Sequence, residues 1–388
     1  MASLDKLTPI ELQTLHEFRK SVGDVLQSKH DDAFLLRWLR ARDFRLKDAE
    51  DMLRKHLTWR VKNKIDNILK DYTPPEVLRK YWALGFLGYD RENCPLWLCR
   101  YGCIDFKGVI YSAKKSDIIM FYAYVLELSE SKMRERTKKT GKLVDKHSYI
   151  FDMENFVLQQ VTWKPCFDLL SKILTFYEDN YPERLKAAYF INAPFVFQIA
   201  LTLLKPFISE TSFSKIQIFG KDDWKDVLLT QIDASDLPVH WGGTKVGVNG
   251  EPDCSDTISA GGTVPKSYYL QESQSFTNEN DVETLEIGLK SSATVDIYVS
   301  ESDAILQWEF KTENHDIGFG LFYKSDEHMQ QEELIPIDRV NCHLVPETGS
   351  WFCENEGIYM LKFDNTFSLL RSKKIRYRTD IIPPSTKL

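Results

Sequence analysis

The sequence is short of positive charge: 50 Lys and Arg against 57 Asp and Glu leave a net charge of -7 over 388 residues. A binder of duplex nucleic acid needs a basic footprint to displace counterions from phosphates, so that class of partner is not expected. The start of the chain has no apolar core segment. Asp5, Lys6, Glu11, Glu17, Arg19 and Lys20 crowd it instead, so no secretory signal is read and a cytosolic location is expected. Seven cysteines, an odd count at irregular spacing (Cys94, Cys99, Cys103, Cys166, Cys254, Cys342, Cys353), do not make a disulfide framework. Reduced thiols fit them better, and the lack of any Asn-x-Ser/Thr sequon agrees. The longest uncharged run, between Lys186 and Lys205, is broken by Ile191-Asn192-Ala193-Pro194. Proline cannot donate within a helix and drives the residue before it out of the α region, so the run reads as strand, turn and new helix rather than a membrane span.

Catalytic signatures are also missing. There is no Gly-x-Ser-x-Gly elbow, no Walker loop and no His-Glu-x-x-His, and Gly85 with Gly88 does not complete a dinucleotide loop. Cys94, Cys99 and Cys103 have no paired histidines, and His56, His147 and His240 are scattered and read as structural. Neither catalysis, nor a metal, nor a cofactor is expected.

What is present divides into sections, since a chain of this length exceeds one hydrophobic core. From Thr8 to about Lys70, apolar residues recur at helical spacing (Leu12, Leu15, Phe18, Val22; Phe34, Leu35, Trp38, Leu39; Met52, Leu53, Leu57, Trp59), with Asp31-Asp32 suited to a helix start. From Glu76 to Gly243, strands at Leu96–Arg100, Ser148–Phe151, Ala187–Ile191 and Ile216–Phe219 alternate with helices at Ser112–Arg136, Trp163–Asn180, Phe195–Lys205 and Trp224–Ile232. That alternation predicts an α/β domain with a largely parallel sheet. A Gly, Ser, Thr, Asp and Pro-rich stretch reads as an ordered linker. Beyond it the period becomes two (Leu285, Ile287, Leu289; Ile317, Phe319, Leu321, Tyr323; Tyr359, Leu361, Phe363; Ile375, Tyr377, Thr379), which predicts an antiparallel β-sandwich. The expected boundaries are 1–75, 76–245, 246–275 for the linker, and 276–388.

The helix after Pro194 is the anomaly. Phe195, Val196, Phe197, Ile199, Ala200, Leu201, Leu203 and Leu204 cover roughly two-thirds of its circumference, against an ordinary apolar stripe of about 100°. Such a helix is either buried on nearly all sides or movable over a cavity, and the prompt stop at Lys205-Pro206-Phe207 suits the second. Arg37, Arg40 and Arg42 lie beside a dense apolar face, which predicts at least one guanidinium held by packing. Basic clusters at Lys132, Arg134, Arg136, Lys138, Lys139, Lys142 and Lys146, and at Arg371, Lys373, Lys374, Arg376 and Arg378, suit either an anionic membrane surface or solvated faces.

Six motifs then occur in one order: Leu35-Leu36-Arg37-Trp38-Leu39-Arg40-Ala41-Arg42-Asp43-Phe44, Tyr181-Pro182-Glu183-Arg184, Ile191-Asn192-Ala193-Pro194, Lys205-Pro206-Phe207, Ser214-Lys215-Ile216 and Leu237-Pro238-Val239-His240-Trp241-Gly242-Gly243. In this the chain resembles the CRAL-TRIO lipid-transfer proteins. Asp316–Gly320 and Gly357–Thr366 look like the GOLD β-sandwich, a combination similar to the subgroup of supernatant protein factor and tocopherol-associated protein. The resemblance implies a helical N-terminal lobe, a CRAL-TRIO lipid cavity roofed by a gate helix (pocket residues Phe197, Leu201, Leu204) and a C-terminal GOLD domain. In family members that transfer phosphatidylinositol, the headgroup is met by an Arg, a hydroxyl, a Lys and a Glu, which fall on Arg42, Ser212, Lys215 and Glu183. Ser212 stands where Thr is usual, and Asn155 replaces a common glycine, the other residue type that tolerates a left-handed turn. Each of the four also has a plain reading as a surface charge or cap.

The expectation is a cytosolic monomer that holds one lipid, phosphatidylinositol or a tocopherol-like or squalene-like molecule, and exchanges it transiently with membranes. The alternative is a lipid-regulated trafficking or signalling adaptor that recruits a protein through its GOLD domain.

Overall fold

Thr8 starts the first helix: its hydroxyl accepts from the Glu11 N–H while the Glu11 carboxylate accepts from the Thr8 N–H, closing a capping box ahead of Pro9. In the computed structural model, which describes residues 7–270, 282–325 and 331–384, α1 (Pro9–Ser21), α2 (Asp32–Arg40) and α3 (Leu46–Lys62) pack around Leu15, Phe18, Val22, Leu35, Trp38, Leu39, Met52 and Leu53. Asp31 caps α2 by accepting from the Phe34 N–H at 2.8 Å. Short helices α4 (Ile68–Asp71) and α5 (Glu76–Tyr81) lead to a sheet.

That sheet has five strands in chain order: β1 (Leu84–Tyr89), β2 (Pro95–Cys99), β3 (His147–Asp152), β4 (Leu185–Ile191) and β5 (Ile216–Ile218). β1 is antiparallel to β2 and the other joints are parallel. The connections carry α6 (Phe106–Ser112) and α7 (Lys115–Thr140), then α8 (Gln159–Thr162) and α9 (Lys164–Asn180), then α10 (Phe197–Leu204) and α11 (Glu210–Phe213). Right-handed crossovers between successive neighbours leave all these helices on one face. The other face is covered by α12 (Lys225–Gln231) and the chain beyond it, where Trp224, Leu228, Ile232, Trp241, Cys254 and Ile258 pack on Leu96, Leu98, Ile150, Tyr189 and Ile191.

The helix expected over Ser112–Arg136 starts instead at Lys115 and runs on to Thr140, because Ala113 is extended and ends the separate helix α6 at Ser112. β1 escaped the period reading through its glycines. A Cβ on Gly85 would stand 2.6 Å from the Thr257 carbonyl oxygen, so backbone packs directly on backbone there.

By its contacts the chain divides into two units, Met1–Lys266 and Ser267–Leu388. The helical lobe belongs to the first. So does the linker stretch as far as Lys266, anchored by buried Ile258 and Val264 and by a bond from the Val264 N–H to Asp105. The rest of the expected linker and the start of the expected sandwich, 271–281, lie outside the described residues.

The second unit holds two four-stranded antiparallel sheets around one core that includes Phe310, Phe319, Leu321, Leu361, Phe363 and Ile375. Their orders are β10-β9-β12-β7 and β11-β8-β13-β6, with β6 Glu283–Ile287, β7 Ser292–Val299, β8 Ala304–Thr312, β9 Ile317–Lys324, β10 Glu332–Val340, β11 Glu347–Cys353, β12 Gly357–Asp364 and β13 Lys373–Ile382. Leu289, expected within the strand alternation, falls instead in the turn after β6 and is half exposed. Among the described residues, no helix is long and apolar enough to cross a membrane.

Candidate functional site

The two faces of the parallel sheet differ in packing. Ile150 and Ile191, facing α12, are sealed in their core. On the helix-covered face Tyr149, Phe151 and Phe190 each keep part of their surface open to a water-sized probe, as do Tyr122 on α7 and Tyr177 on α9. Yet burial pushes the phenols of Tyr122, Tyr149 and Tyr177 well above the ordinary range. These rings thus form a desolvated aromatic wall on the helix-covered face of the sheet. Along this wall the rings of Tyr149 and Phe151 stack at 5.6 Å, those of Phe151 and Phe190 at 4.7 Å, and those of Phe190 and Phe197 at 4.9 Å.

Phe197 belongs to α10, so the ladder ends on the helix that the sequence singled out. Its ring also meets Phe156 edge-on at 5.7 Å. Ala200 is buried and Leu201 and Leu204 are half-buried, whereas Ile199 and Leu203 on α10 and Phe195 in the turn before it are exposed, Phe195 at 81%. The helix is thus apolar both toward the aromatic wall and toward solvent, which accounts for its wide apolar arc. Asn155, in the loop just before Phe156, has φ +65°, the left-handed turn expected of it.

Beside this wall, Glu183 and Lys215 approach each other. Glu183 occupies the turn into β4 with φ +60°, and Lys215 directly precedes β5. Their charged ends are 3.8 Å apart, too far for a hydrogen bond, and the buried Lys215 Nζ has no hydrogen-bond partner among the described residues. Burial depresses the Lys215 amine below its usual range, and Glu183 opposes the shift. Ser212 is buried in α11, and its carbonyl accepts from the Lys215 N–H at 3.1 Å. Ser209 caps that short turn and donates its own N–H to Glu178 on α9. Arg42 stands apart from these three. Its guanidinium donates to the Ala41 carbonyl at 2.8 Å, and its field opposes the burial that raises the Asp179 carboxyl on α9. Among the described residues it makes no hydrogen bond to Glu183 or Lys215.

The sequence reading missed the aromatic wall, whose only sign was the alternation of His147, Tyr149 and Phe151 along β3. It also missed a charged joint between the helical lobe and α7. There Arg60 pairs with Glu127 at 2.7 Å, Glu127 accepts from Tyr181, and Arg184 pairs with Glu130 at 2.5 Å. Arg37 is the guanidinium held by packing: it is buried above the Phe34 ring at 5.2 Å, and burial, then Arg184, lowers its pKa to about 9. These residues line a cavity of about 400 Å³.

Asp152, Glu154 and His240 bring ligand-type atoms within 4.8 Å of one another. Asp152, however, already accepts from Asn192, Trp241 and the Glu154 N–H, so its carboxylate works as a structural clasp. Burial also raises the thiols of Cys94, Cys99 and Cys166, which suppresses nucleophilic thiolate.

An α/β sheet whose helix-covered face carries a row of aromatic rings ending on an amphiphilic helix offers a surface suited to an apolar ligand. The CRAL/TRIO domain family matches residues 79–243, the CRAL/TRIO N-terminal domain matches 4–55, and a domain described as Golgi-dynamics membrane-trafficking (GOLD) matches 324–381. The chain thus carries a CRAL/TRIO domain together with the N-terminal domain of the same family. Similar proteins include Protein ctg-1 of Caenorhabditis elegans, 29% identical over 379 residues that cover 96% of this chain and 97% of the relative. Protein real-time of Aedes aegypti is 30% identical over 341 residues, covering 84% of this chain but 51% of its own length, so the chain spans about half of that relative. Among solved structures, Sfh5 aligns with a TM-score of 0.48 at 15% identity, covering 70% of this chain and 98% of its own.

Proposed function

We propose that the protein holds one lipid against the aromatic wall beneath α10, with a phosphatidylinositol headgroup at Glu183, Ser212 and Lys215, and that α10 opens to exchange it with a membrane. The observation that carries this reading is the buried Lys215 amine, which has no hydrogen-bond partner among the described residues and is only loosely paired with the Glu183 carboxylate at 3.8 Å. A phosphate placed there gives the ammonium a charge-assisted bond, and an inositol hydroxyl donates to Glu183. Arg42 belongs to the reading through the family motif alone. The acyl chains lie along Tyr149, Phe151 and Phe190, while Phe195, Ile199 and Leu203 face the bilayer during exchange. Tocopherol-like and squalene-like lipids suit the same wall without using the polar group.

The deciding experiment is phosphatidylinositol transfer between vesicles by Lys215→Ala and Glu183→Ala. Each slows transfer about tenfold or more, as expected for loss of a charge-assisted contact, and wild-type rates in both variants would remove the headgroup assignment. The GOLD match supports a second reading, an adaptor whose C-terminal unit recruits a trafficking partner. Unchanged vesicle transfer with lost organelle targeting, in a chain ending after Leu270, would favour a division of labour between the units. That end point keeps the buried Val264, which a cut at the earlier expected position would disturb.

A further inference from the structure

We propose that the second unit has a membrane-docking tip of its own, in which Leu289, Leu369 and Leu370 enter the interface of an anionic bilayer. The three residues are 51%, 67% and 88% exposed. They come from separate places, the turn after β6 and the loop joining β12 to β13, and a bond from the Lys290 N–H to the Ser368 carbonyl at 3.3 Å ties these together. Chance exposure scatters leucines singly, whereas this tip gathers them.

The platform beneath is fixed. Asn365 is fully buried; its amide donates to the Gly288 carbonyl at 2.9 Å and to the Arg371 carbonyl at 3.0 Å, and its N–H donates to the Ser291 carbonyl. One side chain therefore clamps both loops. The Ser368 hydroxyl also donates to the Arg371 carbonyl, and the Arg339 guanidinium lies 3.8 Å from the Phe367 ring centre. The leucines stand outward because hydrogen bonds hold them there.

Charge selects the occupant. Lys290 and Arg371 flank the leucines, both exposed and neither paired with a carboxylate among the described residues. Arg371 bonds instead to the His315 ring, which burial, then Arg371 and Lys373, keeps toward its neutral form. Lys374 follows, paired with Glu313 at 2.6 Å. An apolar tip with an unneutralised basic collar matches the depth profile of an anionic membrane, with apolar groups below and lipid phosphates around the rim. This inference rests on the second unit alone and holds whether or not the first unit takes phosphatidylinositol.

The test is flotation of the full chain with phosphatidylcholine vesicles with and without phosphatidylserine. Phosphatidylserine increases the bound wild-type fraction. Leu369→Ser with Leu370→Ser lowers it about fivefold or more at an unchanged melting temperature, and Lys290→Glu with Arg371→Glu removes the dependence on phosphatidylserine. Leu370→Ser alone, at the most exposed position, serves if the pair misfolds. Phe195→Ser, in the turn before α10, with Ile199→Ser in α10 separates this tip from the gate: flotation lost there and unaltered in the leucine pair overturns the proposal. Indifference of the wild type to phosphatidylserine also overturns it, as does a protein partner lost by the leucine pair while flotation stays at the wild-type level.

Discussion

At the residue scale, Lys215 places stability and function in opposition. A buried amine with no hydrogen-bond partner among the described residues costs free energy, and a bound anion offers it a charge-assisted bond. Lys215→Met therefore raises the melting temperature, by about 1 kcal/mol of stability, while slowing phosphatidylinositol transfer; thermal denaturation and transfer assays on the same preparation check both signs. The depressed Lys215 pKa also has a pH consequence. Between the folded value and the usual lysine value the unfolded chain binds more protons, so this residue makes stability rise as pH climbs through that window. The buried histidines act at the acid end. His56 and His147 are both lowered to about 3, chiefly by burial, and His147 is held between Ser129 and Tyr177. Both are neutral in the native state, whereas the unfolded chain protonates near pH 6.5. Their contribution is present above pH 6.5 and is lost progressively as pH falls toward 3, so acid unfolding monitored by circular dichroism begins earlier for the wild type than for His147→Gln if that variant folds.

At the element scale, α10 joins two jobs on one short helix. Phe197 and Ala200 fix its inner edge, while Phe195, Ile199 and Leu203 remain outside. Leu201→Asp puts a carboxylate on the half-buried flank of the apolar space, and lipid exchange slows more than stability falls; stopped-flow transfer alongside thermal melting measures the ratio. Wholesale unfolding of this variant would make α10 an ordinary buried helix. Phe197→Ala removes the ring that stacks on Phe190 and meets Phe156, and it costs about 3 kcal/mol by denaturant titration.

At the scale of the whole molecule, the two units have separate cores, one from Ile287 to Tyr377 and the others within the first unit. Calorimetry is expected to resolve two transitions, and Phe310→Ala lowers only the one belonging to the sandwich.

The sequence by itself determined the class of each layer, since a period of 3.6, alternating strands and helices, and then a period of two each reflect which faces must be buried. It also determined the caps at Thr8 and Asp31 and the break at Pro194, because these are local chemistry. Ordered motifs pointed to Glu183, Ser212 and Lys215, but no local pattern says that the Lys215 amine is buried without a hydrogen-bond partner. That depends on how the turn before β4 and the start of β5 meet across parallel strands. Likewise Tyr149, Phe151 and Phe190 look like ordinary core residues in one dimension. Only the tertiary structure decided that their rings stack into one wall ending on Phe197 of α10, because neighbouring parallel strands and a crossover helix bring them together. Leu289 makes the same point in the second unit. Its period placed it in a strand, and the clamp formed by Asn365 decided that it stands outside.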